Sequence, residues 1–279
     1  MVQIISTHVS EGVGAEIQAM EAFADETMSV LNAKSIEDFF NDGRSLAPRQ
    51  YESIISGLSP CNIMDVGVGR GQSSVFLASR GHTVYAVEPN PRCCEVLERI
   101  AHRWSLPITV CQGVGEDVES IYSTFDAVFF NSSLHHCDDP KKALRAARDR
   151  LKPGGTIYLV NENFLRPWKT KAWFYRMLKE DPIGMAHYGG NEHSYHNWEY
   201  LSMLTEAGFK NVRTIGVNIE SPLERLEHAL KIRMRGERVH KTTKDVLIRF
   251  LYYILEQRIS RSRVMARLSI VPCHFIGHA

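Results

Sequence analysis

No stretch of about 18 uncharged apolar residues occurs in the 279-residue sequence, so no membrane-spanning helix is expected. The opening residues, Met1 to Ile17, lack the basic start and unbroken apolar run of a secretory signal, and a cytoplasmic location is the expectation. Neither sign of charge is in excess: 33 Lys and Arg stand against 32 Asp and Glu, a formal net charge of +1. The global electrostatic footprint of a nucleic-acid partner is therefore missing. The six cysteines (Cys61, Cys93, Cys94, Cys111, Cys137 and Cys273) form no C-x-x-C pair and no framework of the kind that staples a short chain. They read as reduced, buried thiols, and no metal site is expected from them. Internal repeats and low-complexity tracts are absent as well.

What is present is an ordinary globular balance, 44% hydrophobic and 23% charged, in a chain long enough for one α/β domain with additions. Apolar positions at helical spacing (Ile17, Met20, Phe23, Met28, Leu31, Ile36) predict one or two amphipathic helices before the core, forming either a lid or a cover for the sheet. From about residue 60, short β-rich runs alternate with helical segments, the pattern of βαβ units and a mainly parallel sheet. Strands are expected at 63–66, 83–87, 108–111, 126–130 and 156–160, with helices at 72–79, 92–104, 116–122 and 141–151. The last helix is stopped by Pro153-Gly154-Gly155. Residues 161–196 break the alternation with crowded aromatics and histidines. A helix at 197–207, a strand at 211–217, helices at 222–233 and 244–259 and a final apolar run at 268–276 follow.

The most informative stretch is Ile63-Met64-Asp65-Val66-Gly67-Val68-Gly69-Arg70-Gly71-Gln72, a strand entering a glycine turn and then a helix. Glycines suit a turn where a side chain would block a ligand's approach or forbid a positive φ. Glu88 ends the next strand, 21 residues after Gly67, where an acid can accept from ribose hydroxyls. The spacing is G-x-G-x-G, with Gln72 in the sixth position, and it does not match the G-x-G-x-x-G turn of nicotinamide enzymes.

Asp65-Val66-Gly67-Val68-Gly69-Arg70-Gly71 resembles the first motif of class I S-adenosylmethionine-dependent methyltransferases. The likeness continues through Val87-Glu88-Pro89-Asn90, Phe125-Asp126-Ala127-Val128, Leu134-His135-His136-Cys137-Asp138-Asp139-Pro140 and Leu151-Lys152-Pro153-Gly154-Gly155. It covers roughly residues 60–163, and five blocks in the family's order are far more specific than any one. The resemblance implies S-adenosyl-L-methionine as cofactor. It implies that Gly67 and Gly69, with Gly71 completing the turn, let the backbone lie against the cofactor's amino-acid part, which Asp65 would orient. Glu88, with Pro89 beside it, would hold the ribose. Asn131, with Ser132 next to it, would contact the methionine end, and Gly115-Glu116 would sit by the adenine. Where many relatives have an acid for the adenine amino group this sequence has Val114, so Glu116, Asp117 or backbone takes that contact.

Methyl transfer to a hydroxyl needs alignment and a proton acceptor. Some small-molecule and sugar O-methyltransferases of this family use a histidine of the loop after strand four with a carboxylate after strand five, and this sequence resembles them at His135, His136 and Glu162. His135 is the expected base, with His136 packing or bonding a backbone carbonyl. The segment Met185 to His196, with His187, Tyr188, Glu192 and His193, reads as an acceptor-binding loop or as aromatics packed on the sheet edge. It shows no H-x-x-x-H spacing, and no metal is expected there. The basic, amphipathic stretch from Lys231 to Leu255 reads as a solvated face whose apolar side covers the core or a homodimer mate, with a membrane-surface or phosphate-bearing partner as the alternative.

The expectation is thus a Rossmann-like α/β fold, a seven-stranded mostly parallel sheet with helices on both faces, in which the run 268–276 pairs antiparallel with 211–217. It divides into an N-terminal helical lid (1–45), the cofactor-binding core (46–163), an acceptor-binding insertion (164–196) and the remainder of the sheet with inserted helices (197–279). The expected activity is O-methylation of a small polar metabolite such as a sugar or glycosylated natural product, with no nucleic-acid partner. N-methylation and a non-catalytic cofactor-fold module are the alternatives.

Overall fold

The fold is that of a computed structural model, which describes residues 2–6, 9–21, 28–41, 52, 54–55, 57–180, 191–216, 263–269 and 273–279. The chain opens with strand β1 (Gln3–Ile4), helix α1 (Glu11–Glu21), a 3-10 turn at Val30–Asn32 and helix α2 (Ile36–Asn41). The alternating core comprises β2 (Asn62–Val66), α3 (Gln72–Ser79), β3 (Thr83–Glu88), α4 (Pro91–Arg103), β4 (Ile108–Gln112) and a 3-10 segment at Gly115–Ser120. It continues with β5 (Phe125–Asn131), a 3-10 turn at Leu134–His136, α5 (Pro140–Arg150) and β6 (Leu151–Val160). Then come β7 (Phe164–Leu165), α6 (Lys171–Glu180), β8 (Tyr195–His196), α7 (Asn197–Glu206), β9 (Lys210–Gly216), α8 (Arg263–Arg267) and β10 (Cys273–His278).

Local chemistry explains these boundaries. Asn90 caps α4 by accepting from the backbone N–H groups of Arg92 and Cys93, with Pro91 in the first helical turn where its missing N–H costs nothing. Asp139 caps α5 in the same way through the Lys142 N–H, again followed by proline. The central strands carry Ile63, Met64, Val84, Val87, Ala127, Val128, Phe129 and Phe130, all essentially without solvent contact. Burial on both faces is what a parallel sheet sandwiched by helices requires.

The main sheet runs β1-β4-β3-β2-β5-β6-β10-β9. It has eight strands where seven were expected. The extra strand is β1, whose Gln3 and Ile4 pair in parallel with Cys111 and Gln112 of β4, and two residues are too short for any alternation to register in sequence. The expected run 268–276 is resolved differently: residues 263–267 are helical and the strand is Cys273–His278. Strand β10 is antiparallel to both neighbours, with Phe275 opposite Leu159 of β6 and Thr214 of β9. The helices expected at 222–233 and 244–259, and the basic stretch between them, lie outside the described residues.

From β2 the chain builds outward through β3 to β4, then returns across to β5 and builds the other way through β6. The strand order therefore reverses between β2 and β5, where Val66 lies opposite Phe130. Ligands of open α/β sheets bind outside the carboxyl ends of the strands at such a reversal.

Candidate functional site: a cleft at the strand reversal

Beyond Val66 the chain turns on three glycines with positive φ, Gly67 (+71°), Gly69 (+52°) and Gly71 (+82°). The three do different work. A Cβ on Gly67 would come within 2.3 Å of Ser133 Cβ, and one on Gly71 within 2.4 Å of Leu97 Cδ1, so both are demanded by packing. A Cβ on Gly69 would meet nothing within 4 Å, because that position faces open space.

That space is a cleft of about 190 Å³, open to solvent. Its floor is Val66, Gly67 and Gly69, and one wall is Glu88 and Pro89 at the end of β3. The opposite wall is Gly115, Glu116, Ser132, Ser133 and His136, and α1 covers it with Val13, Glu16 and Met20. Glu88 is buried, and its two oxygens accept from the backbone N–H groups of Gly69 (2.7 Å) and Asn90 (3.0 Å). A carboxylate has about four acceptor positions, so two remain for a ligand. Burial pushes this carboxyl up to about 7, against the two backbone bonds that pull it down. Burial likewise lifts Glu16 to about 7. Three glutamates line the cleft, and among the described residues that line it none is Lys or Arg.

At the polar end, the carboxyl ends of β5 and β6 hold a linked set of side chains. The buried Glu162 carboxylate accepts from three successive backbone N–H groups, Ser133 (3.2 Å), Leu134 (3.1 Å) and His135 (3.1 Å), and so caps the 3-10 turn. The same carboxylate lies 2.6 Å from His135 Nδ1. Burial opposes charge on His135, but the charge and hydrogen bond of Glu162, with Glu192 and Glu16 behind, raise its pKa overall. His136 points Nδ1 at the carbonyl oxygen of Asn191 (2.7 Å), and burial and the neighbouring His135 lower its pKa. Glu192 closes the set, with Oε1 3.5 Å from His135 Nε2 and Oε2 3.3 Å from His136 Nε2. Asn163 Nδ2 donates to Glu192 Oε1 at 2.7 Å.

Residues 64–159 match the family model described as Methyltransferase domain. Residues 64–159 form a class I methyltransferase domain. Among curated relatives, the chain is 32% identical over 117 residues to a ubiquinone biosynthesis O-methyltransferase of Methylocella silvestris, a match covering 42% of this chain and 43% of that protein. The chain spans about half the length of the curated relatives it matches. Among solved structures, it superposes on phosphoethanolamine N-methyltransferase 2 of Haemonchus contortus with a TM-score of 0.58 at 15% identity, covering 98% of this chain and 60% of that one. A methyltransferase of Thermotoga maritima titled a possible histamine N-methyltransferase gives 0.50 at 20% identity, covering 74% of this chain and 87% of that one.

Around this methyltransferase domain the expected site residues sort into three groups. Gly67, Gly69, Glu88, Pro89, Gly115, Glu116, Ser132 and His136 line the cleft. Asp65 and Gly71 stand behind it: Asp65 is fully buried, accepts from Ser74 Oγ at 2.7 Å, leaves Oδ1 without a partner, and is raised to about 6 by burial. Asn131 accepts from Asn161 Nδ2 at 3.0 Å. His135 and Glu162 form the layer behind His136, both almost fully buried. Of the two acids weighed for the adenine, Glu116 lines the cleft, whereas Asp117 is held by Ser6 Oγ (2.8 Å) and Lys142 Nζ (3.0 Å).

Three contributions escape sequence reasoning. Val13, Glu16 and Met20 of α1 reach the cleft, and an acid on an amphipathic helix carries no mark separating it from a solvated one. Asn191 bridges, its Nδ2 donating to Glu16 Oε2 (2.9 Å) and to the His136 carbonyl (3.1 Å). Strands β7 and β8 pair Phe164 with Tyr195 and Leu165 with His196, tying together the ends of the aromatic segment. His187 and Tyr188 lie outside the described residues.

Proposed function

We propose that the protein transfers a methyl group from S-adenosylmethionine to the hydroxyl of a small polar acceptor. The observation that carries this reading is the charge of the cleft: a Gly-rich floor, an unfilled carboxylate at Glu88, and two further glutamates with no lysine or arginine among the described lining residues. Such a site repels the pyrophosphate of a dinucleotide and favours a cationic sulfonium with ribose hydroxyls for Glu88. When bound, S-adenosylmethionine supplies an electrophilic methyl group on a sulfur that leaves with the electron pair. Gly69 gives its backbone the clearance to approach the ligand, and Glu88 accepts the hydroxyls.

His136 brings the His135–Glu162–Glu192 group to the wall of the cleft, and an acceptor hydroxyl is expected there. Its Nδ1 faces a carbonyl oxygen, which can only accept, so the ring proton sits on Nδ1 and Nε2 presents a lone pair. Glu162 serves as a positioning residue, since its oxygens are engaged by the turn and His135. Described aromatics such as Phe164, Trp173 and Tyr195 supply surface for a ring-shaped acceptor such as a sugar or a quinol precursor, in keeping with the ubiquinone-pathway relatives. Glu16 and Glu192 beside the histidines also suit an ammonium acceptor, which supports N-methylation as the second reading.

The test is turnover with labelled S-adenosylmethionine against hydroxylated ring compounds and amines. His136→Ala should lower kcat by about 10²–10⁴-fold for a hydroxyl acceptor, with cofactor affinity within twofold of wild type. Near-normal turnover on an amine acceptor would move the assignment to N-methylation, and cofactor binding without turnover on any acceptor would support a non-catalytic module.

A further inference from the structure

We propose that His135, His136 and Glu192 form a binding site for a divalent transition-metal ion of the zinc class, with an open position at the wall of the cleft. The proposal deepens the reading of that site as the place of the acceptor hydroxyl, and rests on it only for the metal's use, not for its binding.

The first argument is tautomeric. His135 Nδ1 lies 2.6 Å from a carboxylate oxygen of Glu162, and His136 Nδ1 lies 2.7 Å from the carbonyl oxygen of Asn191. Neither oxygen can donate, so each ring places a proton on Nδ1; at His135 the 2.6 Å contact with Glu162 outweighs the longer approach of the Asn163 backbone N–H at 3.3 Å. A bound cation displaces any proton from Nε2, and with both rings neutral both Nε2 lone pairs face one carboxylate, that of Glu192. Three electron-rich groups thus converge in a buried place, and something positive belongs between them. Metal-ligating histidines have this arrangement, with the outer nitrogen donating to a carboxylate or backbone carbonyl that fixes the tautomer and ring orientation.

The second argument is metric. Nitrogen and oxygen ligands lie about 2.0–2.2 Å from zinc, and at tetrahedral angles this puts neighbouring ligand atoms about 3.3–3.5 Å apart. The Glu192 oxygens stand 3.5 and 3.3 Å from the two Nε2 atoms, and one ligand atom from each residue falls within 4.8 Å of the other two. Those two separations are longer than a good N–H···O hydrogen bond and right for ligands that share an ion. Glu192 Oε2 is buried and has no hydrogen-bond partner among the described residues.

The third argument is the ligand count. Two imidazoles and one carboxylate are three protein ligands, the number found in catalytic zinc sites that keep a fourth position for water or substrate. Sequence reasoning looked for H-x-x-x-H on one helix and found none. Here the imidazoles come from the turn after β5 and the carboxylate from the chain entering β8, so only the fold unites them. An acceptor hydroxyl in the open position would lose its proton to solvent more readily, because the ion stabilises the oxyanion that attacks the methyl carbon. No redox change is involved.

Untagged protein is treated with a chelator, dialysed, and titrated by calorimetry with zinc sulfate, and separately with cobalt(II) chloride while the visible ligand-field bands are recorded. One equivalent should bind, with the intense bands of a four-coordinate site. Glu192→Gln and His136→Ala should each weaken binding by at least about tenfold, and Glu162→Gln, which alters only the outer partner of His135, by about 10–100-fold. Circular dichroism melts of each variant separate loss of the site from loss of the fold, and His193→Ala, outside the cluster, should bind as wild type. Absence of stoichiometric zinc or cobalt binding to folded wild-type protein, or equal binding by the Glu192 and His136 variants, overturns the metal site. Methyl transfer that persists in fully chelated, metal-free protein would overturn the ion's role in activating the acceptor while leaving the methyltransferase reading intact.

Discussion

Glu88 makes a quantitative pH prediction. It is buried at the end of β3, and burial holds its carboxyl at about 7, with Glu16 of α1 adding to the rise and the N–H groups of Asn90 and Gly69 opposing it. Cys93 and Cys94 of α4 also adjoin it, but burial pushes both thiols far above their ordinary range, so neither charges near neutrality. Ribose hydroxyls donate to the ionised carboxylate, so binding favours loss of its proton. Ionisation from about one part in eleven at pH 6 to about ten in eleven at pH 8 should strengthen S-adenosylmethionine binding by about tenfold, or about 1.4 kcal/mol.

The stability of the free protein should move the other way. A carboxyl with a raised folded pKa binds more protons folded than unfolded between 4.5 and about 7, so its contribution is present below 4.5 and lost as pH climbs to about 7. That gap corresponds to about 3 kcal/mol, so Glu88→Gln should raise the melting temperature at pH 8 by about 5–10 °C while weakening the cofactor. Calorimetric titrations at pH 6, 7 and 8, in two buffers of different ionisation enthalpy, measure both affinity and proton release. A wild-type affinity flat across that range, with no proton released at pH 6, would refute the ribose role of a Glu88 that is protonated in the free protein and ionised when the ligand is bound.

Two further predictions separate packing from ligand contact. Gly67→Ala drives a Cβ into Ser133, whose hydroxyl holds the Val66 carbonyl at 2.6 Å, and should destabilise the fold by more than about 2 kcal/mol in denaturant melts. Gly69→Val has room within the free protein and should cost only the about 1–2 kcal/mol of left-handed strain, yet abolish cofactor binding in calorimetry. Glu162→Gln removes the charge that three backbone N–H groups and His135 share, and should lower stability by about 2–3 kcal/mol, read as a melting temperature about 5–10 °C lower.

The core strands were legible because their apolar runs are bounded by the chemistry that ends them: glycines after Val66, an Asn-Pro cap after Glu88 and an Asp-Pro cap before α5. Glu88 could be placed at the cleft because it ends a strand, and strand ends in a parallel sheet share one edge; of the two histidines in the turn beyond β5 the sequence pointed to His135 as the base, whereas His136 is the one that lines the cleft. The segment 115–120 proved 3-10 rather than α-helical, since six residues with three acids and one valine supply too little apolar periodicity to distinguish the two. The layering of His136 before His135 could not be read, because adjacent residues in a short turn point different ways according to which backbone groups are capped. Here Glu162 decides that, from 27 residues away. Convergence of Glu16, Asn191 and Glu192 on one histidine joins chain positions about 175 residues apart, a distance no local pattern spans.

Strand β10 has a bearing on how the chain is made. Cys273 to His278 insert between β6 and β9, with His278 opposite Thr156 across 122 residues of chain. During synthesis the glycine turn, Glu88 and the histidine turn are all in existence before this strand leaves the ribosome, while β6 presents a long, apolar, unpaired edge. Loop closure over that span is slow, and an open edge of this kind is a template for the wrong neighbour. The nascent chain is therefore most vulnerable to aggregation until Cys273 to His278 have emerged, and loss of that strand would leave the cleft's own residues intact on a sheet with an exposed flank.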